Sequence, residues 1–471
     1  MSIKTPPKNG FEVSAPVVVV GAGAAGFCAA LAVHEAGVEV VVLERDSIPR
    51  GSTALSAGLI PAAGTHFQAT RGITDNPALF AADLKRKAHD RADPVVVDLA
   101  ARQAGPTVEW LADRYGLPFS IVHDFDYPGH AARRMHGLPS RSGLELIDRL
   151  RQAADEHGIP LVVNAKVSAL YVDAGRAVRG VEITRPDGTR DSLGCDALIL
   201  ACNGYGGAPD LVARHIPEMR HASYFGHPGN RGDAVLWGER LGAKLEHMSG
   251  YQGHGSVAHP HGILISWAVI MEGGFQVNKN GARFSDESLG YSEQAAVVLA
   301  QPDGIAFDVF DERIAAIARQ FADFRQAEAA GAVIEAPTLG LLAARLNLPL
   351  PALTQCLAEI EETRRTGSLD RFGRRFAGAT PLVPPFKAVK VTGALFHTQG
   401  GLAVDGAARV LDASKKPLPN IFAAGGAAAG VSGPCADGYL SGNGLLTATV
   451  LGRVAGQAAA ASVLQKTPAG A

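Results

Sequence analysis

The chain has 471 residues, 47% of them apolar, and 44 basic against 46 acidic side chains give a net charge of −2. That length exceeds one ordinary core and predicts two domains. The balanced charge excludes electrostatic nucleic-acid binding, which needs a phosphate-neutralising excess. Five cysteines (Cys28, Cys195, Cys202, Cys356, Cys435) show neither C-x-x-C nor metal-ligand spacing. Such a sparse, odd set fits a reducing cytoplasm better than a disulfide framework, and each thiol reads as a small buried apolar group. No signal peptide and no apolar run of transmembrane length are evident, so the expected location is cytoplasmic. Residues 1–13 read as a loose tail.

Val17 to Val20 form a β-branched run, the signature of a buried parallel strand. Gly21, Gly23 and Gly26 then fit G-x-G-x-x-G. The first glycine permits the tight turn, the second lets a pyrophosphate approach, and the third lets a helix pack close to the strand. That helix is predicted from Ala24 to Ala36 and stops at Gly37. Its first turn, including Ala24 and Ala25, presents N–H groups and a dipole to phosphates. A second strand, Val38 to Leu43, ends at Glu44, whose carboxylate suits a ribose hydroxyl. In register, these parts predict a dinucleotide site. From Arg50 to Pro61, small hydroxyl residues alternate with glycines; such a segment either lies flat against a planar ligand or is a plain Ser/Gly loop.

The fingerprint, Glu44 and the Gly51-Ser52-Thr53-Ala54-Leu55-Ser56-Ala57-Gly58 stretch together resemble the fumarate reductase and 3-ketosteroid Δ1-dehydrogenase flavoprotein superfamily. The resemblance implies FAD, with Gly51, Ser52, Thr53, Ser56, Ala57 and Gly58 along the flavin and Arg45 beside Glu44. Members with covalent flavin carry a histidine where this chain has Ser52, so non-covalent FAD is expected. The implied fold is α/β: a Rossmann-like FAD-binding domain, a parallel sheet with helices on both faces, plus an inserted α+β cap. The expected boundaries are 14–210 and 386–471 for the FAD-binding segments and 211–385 for the cap.

Residues 78–116 read as helices. The stretch from Asp124 to Ser142 mixes Tyr127, His130, Arg133, Arg134, His136 and Arg141 with Gly and Pro, and reads as a solvated loop; Tyr127 is its candidate for a substrate mouth. Alternating strands follow at 160–163, 166–172, 178–184 and 197–201, with Asp187-Gly188 as a hairpin turn. The resemblance places Val167 near the adenine and Ala201 and Gly204 at the end of the first FAD segment. Gly204-Tyr205-Gly206-Gly207 lacks the spacing of a second dinucleotide site. In the cap, Asn280-Gly281 predicts a type I′ hairpin with strand flanks. The run Asn278-Lys279-Asn280-Gly281-Ala282-Arg283-Phe284-Ser285-Asp286-Glu287 resembles a superfamily cap segment. Where fumarate reductases continue to a proton-path arginine, this chain has Gly290. Where ketosteroid dehydrogenases have their tyrosine base, it has Tyr291. Arg313 lies about where fumarate reductases place a proton-donating arginine, and a surface helix start explains it equally well. Residues 338–376 read as charged, solvated helices.

His397-Thr398-Gln399-Gly400-Gly401 resembles the fumarate reductase segment whose histidine binds a substrate carboxylate. Leu418 to Gly426 resembles the closing strand, bringing Gly425 and Gly426 to the FAD. Asp437 to Ala448 leads glycines into an apolar helix, with Asn443, Leu445 and Leu446 as implied flavin contacts. Fumarate reductases carry a carboxylate-clamping arginine at the position of Tyr439; ketosteroid dehydrogenases carry tyrosine there, paired with a backbone N–H that corresponds to Asn443. The implied reaction is desaturation of a cyclic ketone, steroidal or a smaller ring bearing a carboxylate for His397. Tyr439 and Asn443 would polarise the ketone, Tyr291 would take the α-proton, and flavin would take the β-hydride. The electron acceptor would be a quinone, a carrier protein or oxygen. The alternative is fumarate-reductase-like reduction of an unsaturated carboxylate.

Overall fold

The structure is a computed structural model and describes residues 2–123, 127–376 and 378–465. It divides into two compact units. Met1–Ile216, Gly226–Tyr251 and His397–Ala471 form one, and Pro217–Phe225 with Gln252–Phe396 form the other.

The first unit is organised on a nine-stranded sheet. The Ser14–Val20 strand pairs in parallel with Val40–Leu43 on one side and with Arg190–Leu200 on the other. Val17, Val18 and Val19 are fully buried, as a strand covered on both faces requires. Pro417–Ala423 joins Arg190–Leu200 in parallel, while Lys166–Val172 and Val178–Thr184 extend the sheet antiparallel. The turn into Arg190–Leu200 carries Gly188 at φ +86, as Asp187-Gly188 predicts. The Ala24–Glu35 helix is buried from Ala24 through Val33. It packs on the last helix, Asn443–Leu464. A methyl added at Gly452 or Gly456 would lie 2.4 Å or 2.3 Å from the carbonyl oxygens of Ala25 or Ala29, so the two backbones meet almost directly.

Two expectations for this unit are overturned. Residues 2–13 are not a loose tail: Ser2–Lys4 adds a parallel strand to Lys166–Val172, and Phe11 meets Tyr171 edge-on at 5.4 Å. Within the 124–142 stretch, read as a solvated loop, residues 134–138 are buried, while the described residues on either side are irregular and exposed or half-buried. Met135–Gly137 is a buried strand, and the fully buried Arg134 pairs with Asp75 and Asp83. Charge there is retained by pairing rather than by solvation. Asp124 lies outside the described residues.

The second unit is built on a seven-stranded sheet in which Ile305–Asp311 runs antiparallel to both Phe275–Asn278 and Phe386–Thr398. Its core includes Phe275, Phe310, Phe324 and Val389. The helices Leu339–Leu346 and Leu350–Thr366 cover residues read as helical. The type I′ hairpin at Asn280-Gly281 is not formed. Phe275–Asn278 finds its partner in the distant Ile305–Asp311 strand, and the Asn278 side chain instead accepts from the N–H groups of Asn280 and Ala282. A turn does form there, with Gly281 N–H donating to the Asn278 carbonyl oxygen at 2.9 Å and Asn278 N–H to the Ala282 carbonyl oxygen at 3.0 Å, but only Gly281 is left-handed, at φ +71, where a type I′ turn needs both central residues so, and no return strand follows. Among the described residues no helix is long and apolar enough to cross a membrane, and no cluster of three or more His, Cys, Asp or Glu could hold a metal.

Candidate active site

The nucleotide end of the first unit forms where the Ser14–Val20 strand stops. Gly21 takes φ +104, and a methyl there would fall 2.5 Å from the Ala201 carbonyl oxygen; at Gly26 it would fall 1.8 Å from the Gly21 oxygen. Only glycine permits this turn and this helix approach. The helix that follows has no side chain capping its start from Gly23. Thr53 Oγ1 accepts from Ala24 N at 3.0 Å, and the buried Glu44 carboxylate accepts from Ala22 N at 2.9 Å and Asp46 N at 3.0 Å. An acid thus sits beside the helix's positive end, where a ribose and pyrophosphate would be read. These residues fit FAD, which supplies a two-electron acceptor when bound.

The other expected cofactor residues distribute around this turn. Arg45 donates to the Gly229 carbonyl oxygen at 2.6 Å. Ser52 Oγ accepts from His227 N and Asn230 Nδ2, so its hydroxyl braces the 227–230 segment. Gly51 takes φ +50 and Gly58 φ +65, Ser56 donates to the Thr53 carbonyl oxygen, and Ala57 is exposed. Val167 and Ala201 are buried. Gly204 N–H donates to Asn203 Oδ1, Gly425 takes φ +60, and a methyl at Gly426 would fall 2.2 Å from Asn203 Oδ1. Leu446 is fully buried in the first turn of the last helix and Leu445 partly so.

At the start of that helix the first unit brings Tyr439, His397 and Asn443 into one cluster. The rings of Tyr439 and His397 meet edge-on, centroids 5.4 Å apart. Burial drives the Tyr439 phenol well above its ordinary range, although backbone N–H groups of Gly444 and Gly442 reach its oxygen and pull the other way. The phenol is therefore protonated at neutral pH and a hydrogen-bond donor. Burial also pushes His397 down to about 4, against a weaker hydrogen bond with the Thr398 backbone. Its imidazole is neutral at pH 7 and offers a carboxylate no positive charge. The Asn443 backbone N–H does not face a ligand, as its sequence position had implied: it donates to the Leu440 carbonyl oxygen at 3.0 Å. Its side chain instead meets Ser432, Ser432 meets Gln399 at 2.6 Å, and Gln399 meets His397 Nδ1 at 2.9 Å. Gln399 lies inside the H-T-Q-G-G segment and had that signal; Ser432 belongs to no motif, and only the fold finds it. Tyr127 packs against Leu59, Val122 and Met135.

In the second unit, Tyr291 opens the Tyr291–Leu299 helix after Gly290 at φ +152. Its ring stacks on His254 at 5.0 Å, and His254 also meets Trp267 and Phe396. His254 Nδ1 accepts from Ser256 N, and burial pushes the ring down to about 3. Neither His254 nor Trp267 stands in a sequence motif. Arg313 donates to the Glu272 carbonyl oxygen at 2.7 Å from the start of the Glu312–Ala318 helix.

The FAD binding domain family matches residues 16–445. A probable fumarate reductase of Shewanella frigidimarina is 31% identical over 454 residues, 96% of this chain and 75% of that protein. A 4-oxocyclohexanecarboxylate 2-dehydrogenase of Sinomonas cyclohexanicum is 25% identical, with 96% of each chain covered. The open conformation of a flavocytochrome c3 fumarate reductase superposes with a TM-score of 0.82 at 30% identity, covering 97% of this chain and 80% of that one. A 3-ketosteroid-Δ4-(5α)-dehydrogenase from Rhodococcus jostii shares the fold, with a TM-score of 0.79 at 23% identity, covering 98% and 100%. The strand, glycine turn and acid of the nucleotide end, and the matches along nearly the whole chain, agree: this chain belongs to the FAD binding domain family, among the FAD-dependent oxidoreductases related to fumarate reductases.

Proposed function

We propose that this oxidoreductase desaturates a cyclic ketone beside its carbonyl group. The observation that carries the reading is Tyr439, a buried protonated phenol whose oxygen receives Gly444 and Gly442 N–H groups, set against a neutral histidine. A phenol donates one hydrogen bond to a ketone oxygen and stabilises the charge that grows there as an enolate forms. The two backbone N–H groups take up the charge the phenol gains as it donates. Tyr291, in the second unit, takes the α-proton; with an unperturbed pKa of about 10 it needs help from its surroundings. Asn443 acts as a support rather than as a second donor, because its backbone N–H is engaged. The substrate is a 3-ketosteroid or a smaller cyclohexanone-type ring. The 25% identical 4-oxocyclohexanecarboxylate 2-dehydrogenase favours the smaller ring carrying a carboxylate. A quinone, a carrier protein or oxygen takes the electrons.

The second reading is reduction of an unsaturated carboxylate, favoured by the 31% identical probable fumarate reductase. A lone phenol in place of a guanidinium weakens it, because a carboxylate loses its bidentate, charged partner. Anaerobic mixing of holoenzyme with a 3-ketosteroid, cyclohexanone, 4-oxocyclohexanecarboxylate and succinate separates the two. Bleaching of the flavin by a ketone, abolished in Tyr439→Phe, is the expected result. No bleaching by any ketone, with fumarate reoxidising the dithionite-reduced enzyme, would sink the proposal in favour of the reductase.

A further inference from the structure

Which way the His397 imidazole faces chemically is set by a chain of hydrogen bonds that begins on a backbone. The N–H and the C=O of Leu440 each lie 3.3 Å from the Asn443 side-chain amide. A backbone N–H only donates and a carbonyl only accepts, so these two groups fix the amide. Its oxygen faces Leu440 N–H and Ser432 Oγ, and its nitrogen faces the Leu440 carbonyl. Turned over, the amide would donate to Ser432 at the same 2.9 Å, but it would set its nitrogen against an N–H and its oxygen against a carbonyl. The first orientation therefore wins.

The rest follows from counting protons. Ser432 has one hydroxyl proton, and the Asn443 oxygen receives it. As the Gln399 amide stands, its oxygen lies 2.6 Å from Ser432 Oγ and its nitrogen 2.9 Å from His397 Nδ1; with the Ser432 proton on Asn443 those two oxygens would face each other without a proton, so this amide turns over as well and presents its NH2 to Ser432 and its oxygen to His397. In that turned orientation the amide oxygen faces His397 Nδ1 and requires a proton on that nitrogen, as does the Thr398 carbonyl oxygen 3.4 Å from it, which can only accept. We infer that His397 is held as the Nδ1–H tautomer, so that its Nε2 lone pair accepts a hydrogen bond and selects a ligand group that donates one, an enol or hydroxyl rather than a carboxylate. Nε2 sits on the Tyr439 side of the ring: a methyl built at Gly444 would lie 2.8 Å from it and 3.7 Å from the Tyr439 hydroxyl. Burial, which keeps the ring uncharged, leaves the tautomer as the property that decides what it binds. Gln399, Ser432 and Asn443 are positioning residues in this scheme. The ligand half of the inference rests on the ketone reading; the tautomer does not.

Nitrogen-15 spectra of ring-labelled histidines in the holoenzyme at pH 7 test it, with His397→Gln identifying the resonances. The expected pattern is a proton-bearing, pyrrole-type Nδ1 and a pyridine-type Nε2. Ser432→Ala frees the Gln399 amide to turn, and the two shifts should converge; Ser432→Thr should restore them. Gln399→Glu, an acceptor only, should keep the proton on Nδ1. A reversed pattern in the wild type, or in Gln399→Glu, would overturn the assignment. For the ligand half, titrations followed by the flavin absorption band should show phenol binding roughly tenfold or more tighter than benzoate; equal binding would refute it. Ketone turnover with a reversed tautomer would end this inference and spare the ketone reading. The expected tautomer without ketone turnover would do the opposite.

Discussion

Gly444→Ala separates activity from stability at this site. Gly444 is the second residue of the Asn443–Leu464 helix, where alanine gains at most about 1 kcal/mol over glycine in helix propensity. Its methyl, however, would lie 2.8 Å from His397 Nε2 and 2.9 Å from Cε1. Carbon contacts are comfortable at about 3.5 Å, so the buried ring must move by roughly two-thirds of an ångström. Overpacking of this size costs about 1–3 kcal/mol, and the propensity gain offsets part of it. The net stability change should therefore be about 2 kcal/mol or less. Activity is more exposed, because a misplacement near 1 Å can cost about 100-fold, and the ring that moves is the one set against Tyr439. The assay is kcat/KM for whichever substrate bleaches the flavin, alongside thermal unfolding of the holoenzyme. Activity within about threefold of wild type would refute the placement of His397 and Tyr439 at the reacting end.

Tyr439→Phe should lower kcat by about 10²–10³ with KM little changed, the signature of a donor that acts in the transition state; an equal rise in KM with kcat intact would mean that it only binds. Glu44→Ala leaves the N–H groups of Ala22 and Asp46 without their acceptor, at about 1–3 kcal/mol each if they stay buried, so the purified protein should lose FAD on gel filtration. Retention of full flavin would argue against the ribose role. In the second unit, Glu287 is fully buried between Arg283 and Arg374. Glu287→Gln should cost about 3–5 kcal/mol by leaving the buried Arg374 without its carboxylate partner, while Arg283 keeps Asp370, and denaturant unfolding reads this directly. His130, His136, His254 and His397 are pushed down by burial to about 4, 4, 3 and 4. Their folded values lie below the unfolded value of about 6.5. The unfolded state thus binds more protons in that window, and stability present above pH 6.5 is lost as pH falls toward 4. Asp308, pushed up to about 7 by burial, works in the opposite sense by one proton. Together these five groups predict a net uptake of about three protons on unfolding, and a urea midpoint that stays level from pH 7 to pH 5 would contradict it.

What the sequence made legible was whatever depends on near neighbours. Four valines, three glycines and a helix of small residues have one good solution, and the sheet register from Val17 to Leu43 is that solution. The flavin family was legible for the same reason, since its signature is local. Misreadings came where a distant partner decided the outcome. Arg134 looked solvated because its partners, Asp75 and Asp83, lie more than fifty residues away. Residues 2–13 looked loose because the Lys166–Val172 strand that Ser2–Lys4 pairs with is remote. Asn280-Gly281 carried the right residues for a turn and makes one, but the strand that pairs with Phe275–Asn278 is the remote Ile305–Asp311 rather than the segment just after the turn. At the site, Tyr439 and His397 stood in recognisable segments. Ser432 is an ordinary serine in an ordinary loop, and its importance lies wholly in what it touches.

Relatives and site geometry pull in different directions, and the difference has a physical basis. Overall identity samples 454 aligned positions that hold a sheet, two closely packed helices and a nucleotide turn, and these requirements are common to every chemistry on the fold. Substrate choice rests on the few groups that meet the reacting molecule. Replacing a guanidinium by a phenol at position 439 removes a full charge and leaves one donor. Burying His397 as a neutral ring removes a second source of positive charge. A dianionic acid entering such a cluster would lose its hydration without gaining an ion pair, which low-dielectric surroundings punish severely. A ketone loses little on entry and gains a hydrogen bond that strengthens as its oxygen becomes an enolate. A carboxylate elsewhere on the same ring is compatible with this, provided that it stays clear of His397 and Tyr439. The small-ring keto acid reading therefore requires the ketone, not the carboxylate, to face the start of the last helix.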